Sequence, residues 1–142
     1  MPSVIPNEGL PYLLDWMLRH TGSDPPNLVF TLWTNDIVPE QDTVFADLDR
    51  ATFVGFTERV MLRSGWTDPV MVGDNAVSTW GVAPFEWVVA ANPEVIYGWA
   101  AYHPGSLKLV IVERFDVARE PGVGDTIGVL PRFALGTYVP CP

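Results

Sequence analysis

The chain is predicted to be mainly β, an antiparallel sandwich or barrel with one N-terminal amphipathic helix. Three observations lead there. Of its 142 residues 12 are Gly and 14 are Pro, with proline at about twice its usual share of roughly 5%. These breakers are spread along the whole length and leave room for only one sizeable helix. Between them lie short β-branched and aromatic runs at intervals of roughly 8–12 residues, the spacing of sandwiches and barrels. Hydrophobic residues make up 48% of the chain and charged residues 18%, which excludes disorder. At this length a core can form without disulfides or metals.

Residues 1–6 read as an extended arm ahead of a single domain over residues 7–142. Pro2 and Pro6 keep the arm from being helical. Its Val4 and Ile5 have no partner of their own, so the arm either straps onto a neighbouring subunit or frays. Over 7–20 (NEGLPYLLDWMLRH), Leu10, Leu13, Leu14, Met17 and Leu18 fall on one helical stripe. Asn7 caps this helix, Glu8 suits its positive end, and Pro11 belongs in its first turn. Arg19 and His20 suit its C-terminus, and Gly22 can take the closing left-handed position.

After the breaker GSDPPN, Leu28 to Thr34 (LVFTLWT) reads as a buried strand ended by Asn35-Asp36. Asp42 to Thr52 is mixed, a loop or one helical turn, and Phe53 to Leu62 extends again. Short strands follow at Pro69–Val72, Ala76–Trp80 and Pro84–Val89, each bounded by Gly, Asp, Asn or Pro. Val95 to Tyr102, the turn His103-Pro-Gly-Ser106 and Leu107 to Phe115 form an antiparallel hairpin. In its second strand Leu107, Leu109, Ile111 and Glu113 alternate with Lys108, Val110, Val112 and Arg114. Both faces are therefore apolar in the middle, and a second covering is required: the N-terminal helix, a long loop or another subunit. Gly122 to Asp125 makes a turn into a strand over Thr126–Ala134, where Pro131 demands an edge, a bulge or a strand end.

Charge and cysteine content narrow the partners. Eight Lys+Arg against 17 Asp+Glu give a net charge of −9, and Lys108 is the only lysine. Nucleic acid and anionic membranes are not expected, because phosphate binding needs clustered cations. Cys141, the single cysteine, can make no intramolecular disulfide and no zinc cluster. The opening MPSVIPNEG lacks the basic and apolar regions of a signal peptide, and the longest apolar run, Trp87 to Ala91, is too short to span a bilayer. A soluble protein made in the cytoplasm, and used there or in a particle assembled there, is the expectation.

Catalytic patterns are weak, and no cofactor, metal or catalytic residue is assigned. His20 and His103 are the only histidines; they fit a helix end and a turn, and neither has metal-ligand spacing. A nucleophile elbow is absent, and Ser64 and Ser106 fall in turns with no base expected nearby. Gly122-Val-Gly124 leads into a strand and not into the helix that a phosphate loop requires. Glu58, Glu86 and Glu113 lie in expected strands and could pair across a cleft as a glycosidase couple does, but single strand glutamates ordinarily face solvent or an arginine. Asp42, Asp47 and Asp49 match no calcium loop. Among six tryptophans, Trp87 and Trp99 belong to strong strands and Trp16 flanks the helical stripe, so these fill the core. Trp66 (SGWTDP) and Trp80 (STWGVAP) adjoin turns and are the first candidates for an aromatic interface.

The order of segments carries a further signal: a short arm, NEGLPYLLDWMLR, LVFTLWTNDIVP, DLDRATFVGF, RSGWTDP, GWAAYHPGSLKLVIVERFD and GDTIGVLPRFALG. Over nearly the whole chain this resembles small structural proteins of tailed bacteriophages, of the kind that decorate or cement a capsid. The resemblance rests on turn-and-strand signatures and transfers no functional residue. It implies a jelly-roll-like antiparallel β-sandwich, a homo-oligomer and often a trimer, on the capsid exterior, with the major capsid protein or another virion protein as partner. A non-enzymatic virion role is therefore expected, with Val4, Ile5, Trp66 and Trp80 as contact residues. The alternatives are a phage tail or baseplate component and a carbohydrate-binding β-sandwich module.

Overall fold

The computed structural model describes Pro6 and residues 27–62, 65–67, 70–72, 75–81 and 83–136. Val4, Ile5, Trp16 and the helix expected over 7–20 lie outside the described residues. Pro6, the last residue of the expected arm, is buried.

The described chain is mainly β, and every strand pairing is antiparallel. The strands are β1 (Leu28–Trp33), β2 (Arg59–Met61), β3 (Val70–Val72), β4 (Asn75–Thr79), β5 (Phe85–Val88), β6 (Ile96–His103), β7 (Lys108–Arg119), β8 (Thr126–Val129) and β9 (Arg132–Gly136). One 3-10 turn, Phe45–Asp47, falls within the mixed segment 42–52. The strands form a four-stranded sheet in the order β2-β1-β6-β7, a three-stranded sheet β3-β4-β9 and a two-stranded ribbon β5-β8.

Pro131 sets the path of the last segment. The single strand expected over 126–134 is two strands in two different sheets, β8 and β9. Proline cannot donate to a ladder, so pairing stops there and the chain crosses from the ribbon to the three-stranded sheet. Trp80 N–H holds the crossing by donating to the Pro131 carbonyl at 2.8 Å.

The central sheet is apolar on both faces. On the first face Leu28, Phe30 and Leu32 of β1, Trp99 and Ala101 of β6, and Val110 and Ile111 of β7 pack with Trp87 and Val89 and with Ile127 and Val129 of β8. The ribbon is thus one covering layer. On the second face Trp33, Ala100, Tyr102, Leu109 and Val112 pack with Leu48, Ile37 and Phe45. Of the three coverings open to the sequence, the second face receives a long loop, the strap over residues 34–50.

The strap is tied down by polar contacts. Arg114 pairs with Asp36 at 2.6 Å and donates to the Ile37 carbonyl at 2.6 Å. Its guanidinium also lies 5.2 Å from the Tyr97 ring centroid. The Asn35 side chain bridges the strap internally, donating to Asp47 O at 2.7 Å and accepting from Asp49 N–H at 2.8 Å.

The simple alternation expected in β7 is broken. Ala101 pairs with Ile111 but Tyr102 pairs with Leu109, so Val110 is an extra residue at a bulge. Val110 joins Ile111 on the first face, and Leu109 joins Val112 on the second. Gly98 marks the tightest strand contact. A Cβ there would overlap the Glu113 carbonyl and lie 2.6 Å from Trp33 Cζ2. Without a side chain, the Trp33 indole lies across β6 and stacks on Tyr97 with 6.3 Å between ring centroids.

Both ribbon edges carry an arginine. Arg59 Nη2 donates to the Glu86 carbonyl of β5 at 3.2 Å, and Arg119 Nη1 donates to the Gly128 carbonyl of β8.

Candidate functional site

Two features outside the continuous core have the make-up of a site. The first joins the two tryptophans singled out as contact residues. Residues 65–67 lie alongside 79–81: Thr67 N–H donates to Thr79 O at 2.9 Å, and Gly81 N–H donates to Gly65 O at 2.7 Å. Ser78 Oγ adds a bond to Thr67 O at 2.6 Å. Trp66 and Trp80 are thereby bridged partners, edge to face, with ring centroids 5.6 Å apart and planes at 78°. Gly65 makes this possible, because a Cβ at that position would run into the Trp80 ring.

Neither indole stands free as a platform. Both are half-buried against the first core cluster. Trp80 continues to Phe85 at 5.8 Å, and Phe85 to Phe30 at 5.2 Å, where Trp87 and Trp99 stack on Phe30 at 5.7 and 5.2 Å. The pair is the outer end of an aromatic chain reaching the centre of the sheet. A sequence signal for it exists in mirrored order: Gly65-Trp66 faces Trp80-Gly81.

The second feature centres on Glu58. Its carboxylate accepts from Tyr102 Oη at 2.6 Å and from Arg50 Nη1 at 3.0 Å. Arg50 precedes the core residues Ala51 and Phe53, and Glu58 precedes β2, so the ion pair clasps the two ends of the loop 50–58. The guanidinium lies 5.2 Å from the Phe45 ring centroid, and Phe45 packs on Tyr102 at 4.5 Å. Burial, reinforced by the hydrogen bond and charge of Glu58, pushes the Tyr102 hydroxyl up to about 12. Burial works against the Arg50 charge, but Glu58 outweighs it and raises the Arg50 pKa above its ordinary value.

Beside the clasp is an open depression of about 550 Å³, lined by Leu48, Asp49, Arg50, Ala51, Thr52, Phe56, Thr57 and Glu58. Glu94 shapes its rim by accepting from Thr52 N–H at 2.6 Å and from Thr52 Oγ1 at 3.2 Å. Chemically it offers carboxylate acceptors, guanidinium donors and one aromatic wall. Of these residues the sequence singled out Glu58 and Asp49, but not Arg50 or Tyr102. Tyr102 stands 44 residues from Glu58, too far for any local pattern.

The other carboxylates are dispersed. Glu58 engages the second face of the central sheet through Tyr102. Glu113 is in register with Trp99 on the first face, and Glu86 is an exposed residue of β5. Asp47 Oδ2 accepts from Val44 N–H at 2.9 Å, closing the 3-10 turn.

One expectation is corrected at the β6–β7 turn. Ser106 does have a base nearby: its Oγ lies 3.0 Å from His103 Nδ1. The turn, closed by Leu107 N–H to His103 O at 2.8 Å, brings the two side chains together. The same Nδ1 also accepts from Ser106 N–H at 3.1 Å, which makes the imidazole a turn-closing group.

Among the described residues no group of three or more His, Cys, Asp and Glu is placed to hold a metal ion, and no helix is long and apolar enough to cross a membrane. Comparison with known proteins gives no matching family model, no matching curated protein and no matching solved structure.

Proposed function

We propose that the protein is a non-enzymatic virion structural protein, a capsid decoration or cement protein bound on the capsid exterior at junctions of major capsid subunits. One observation carries this reading: three of the segments that bear the phage resemblance build the architectural centre of the described fold. LVFTLWTNDIVP supplies β1 and the start of the strap, GWAAYHPGSLKLVIVERFD supplies most of β6, its turn and most of β7, and GDTIGVLPRFALG supplies the β8-to-β9 crossing. The finer architecture, a jelly-roll-like closure of these antiparallel sheets, belongs to the same proposal, as does a homotrimeric state.

The mechanism is mechanical. Apolar surface buried between the protein and shell subunits stabilises the assembled state by mass action. Because the strap already covers the second face of the central sheet, the shell contacts fall elsewhere. Val4 and Ile5 of the arm, the outer rim of the Trp66–Trp80 pair, and exposed residues such as Val117 and Val123 supply apolar area for them. A net charge of −9 keeps the protein off packaged DNA.

The test is immunodetection in gradient-purified particles, with heads and tails separated. Presence on heads is the expected result, presence on tails alone moves the protein to the tail or baseplate, and absence from all particles overturns the virion reading. A carbohydrate-binding module is the second reading, favoured by the open depression beside Arg50 and Glu58. It requires a saturable heat of binding on calorimetric titration with neutral sugars.

A further inference from the structure

Within the strap, residues 35–48 satisfy most of their own polar groups. The amides of Ile37, Glu40, Thr43, Val44, Asp47 and Leu48 all donate to other groups of this segment, at 2.8–3.2 Å. Its two ends are drawn together at a neck, where the Asn35 side chain bonds Asp47 and Asp49 and Thr34 N–H donates to Asp49 O at 2.8 Å. A loop with adjoining ends and internal packing is an Ω-loop. It can move as a body without first breaking its own bonds.

The hold of this loop on the sheet is of another kind. Ile37, Phe45 and Leu48 pack into the second cluster with Trp33 and Tyr102. Among the described residues, Arg114 is the only side chain of the four-stranded sheet that hydrogen-bonds residues 35–48. The same cluster contains a donor with no acceptor: Trp33 is fully buried, and its Nε1–H has no hydrogen-bond partner among the described residues. A buried N–H without an acceptor carries a desolvation penalty that is relieved when water reaches it. The closed loop is therefore opposed by a group that it helps to seal.

We propose that residues 35–48 are a latched lid, which swings off the second face of the central sheet as one unit about the Thr34–Asp49 neck. Arg114 is the latch, and the Trp33 N–H is the bias toward opening. Opening breaks the neck bond, both Arg114 bonds to the loop and the apolar contacts of Ile37, Phe45 and Leu48, while the β6–β7 ladder stays paired. It brings water to Trp33, Tyr97 and Tyr102. The two controls act in opposite senses: loss of the latch favours the open loop, and loss of the orphan donor favours the closed one.

Hydrogen exchange on the full chain, followed by NMR, tests this. The Trp33 indole proton is assigned by its absence in Trp33→Phe, and rates are corrected for intrinsic exchange and expressed relative to the Ala101 amide. In the parent, the Trp33 indole proton and the Leu48 amide should share one opening constant, at least about tenfold above that of Ala101. Arg114→Met should raise both together. Replacing Trp33 with 3-benzothienylalanine, which sets sulfur where the N–H stands, should slow the Leu48 amide by about fivefold or more. An indole proton that exchanges no faster than the Ala101 amide in the parent overturns the lid. A benzothienyl variant whose Leu48 amide exchanges as fast as the parent's, or faster, overturns the bias assigned to Trp33.

Discussion

Replacing Gly98 with Ala adds one methyl group at the closest approach of β1, β6 and β7. The new Cβ would overlap the Glu113 carbonyl and stand 2.6 and 2.8 Å from Cζ2 and Cε2 of Trp33. Trp33 is fully buried and stacked on Tyr97, so its ring has no solvent to swing into. Overpacking of this kind costs about 1–3 kcal/mol, and a weakened β6–β7 hydrogen bond adds about 1 kcal/mol. Reduced backbone freedom of the unfolded chain returns about 0.5–1 kcal/mol. The net destabilisation is about 1–3.5 kcal/mol. With an unfolding entropy near 0.3 kcal/mol/K for a chain of this length, Tm falls by roughly 3–12 °C. Thermal unfolding followed by near-ultraviolet circular dichroism, with a urea midpoint at unchanged m value, measures it. A Tm within 2 °C of the parent refutes the packing argument. Trp33→Leu in the same chain should not restore stability, because the Glu113 carbonyl remains; rescue would locate the crowding in the indole alone.

Arg114→Met removes the cation that fastens the strap. The Asp36 side chain is 66% exposed, so that ion pair contributes under about 1 kcal/mol, while the charged bond to the Ile37 carbonyl contributes about 1.5–3 kcal/mol. The Thr34 amide, bonded to Asp49 O, should exchange with solvent at least about tenfold faster while Ala101 stays protected; uniform protection would show that the apolar contacts alone hold the strap. Tyr102 gives a pH signature. Its folded pKa of about 12 lies above the ordinary 10, so the stability it confers is complete below about pH 10 and is lost as pH rises to about 12. In Glu58→Gln, ultraviolet titration should find Tyr102 ionising at lower pH, and an unchanged titration would assign the shift to burial alone. Trp66→Ala and Trp80→Ala should each destabilise the fold, with a double-mutant coupling of about 0.5–1.5 kcal/mol. Additivity would mean that the rings touch without mutual stabilisation.

The strands were legible wherever a β-branched or aromatic run met a breaker. Leu28–Trp33, Phe85–Val88 and the hairpin of β6 and β7 stand within a residue or a few of their expected limits, because their pattern is local. The need for two coverings was also readable from β7, where Leu109, Val110, Ile111 and Val112 leave no polar face. What covered the second face was not readable. Ile37, Phe45 and Leu48 are too few and too widely spaced to announce a strap, and they gain meaning only once the arginines at 50 and 114 anchor it. The bulge at Val110 has no local signature either, since it depends on the register with Ala101 and Tyr102. At the candidate site, Glu58 was visible as a carboxylate and Trp66 and Trp80 as aromatics near turns. Their partners were hidden by sequence separation, and the indole pair turned inward because Gly65 lets one ring lie across the other's backbone.

The pairing of β1 with β6 also sets a schedule for synthesis. Thr31 and Ala100 are partners across the centre of the sheet, so about 70 residues must be translated after β1 before its main neighbour exists. At roughly 5–20 residues per second this is a wait on the order of ten seconds. Throughout it, Leu28 to Trp33 is an apolar strand without its long-term neighbour, the state most prone to off-pathway association. Fragments that end before about His103 should therefore collect in inclusion bodies, whereas chains that complete β6 and β7 acquire a local hairpin onto which β1 can dock.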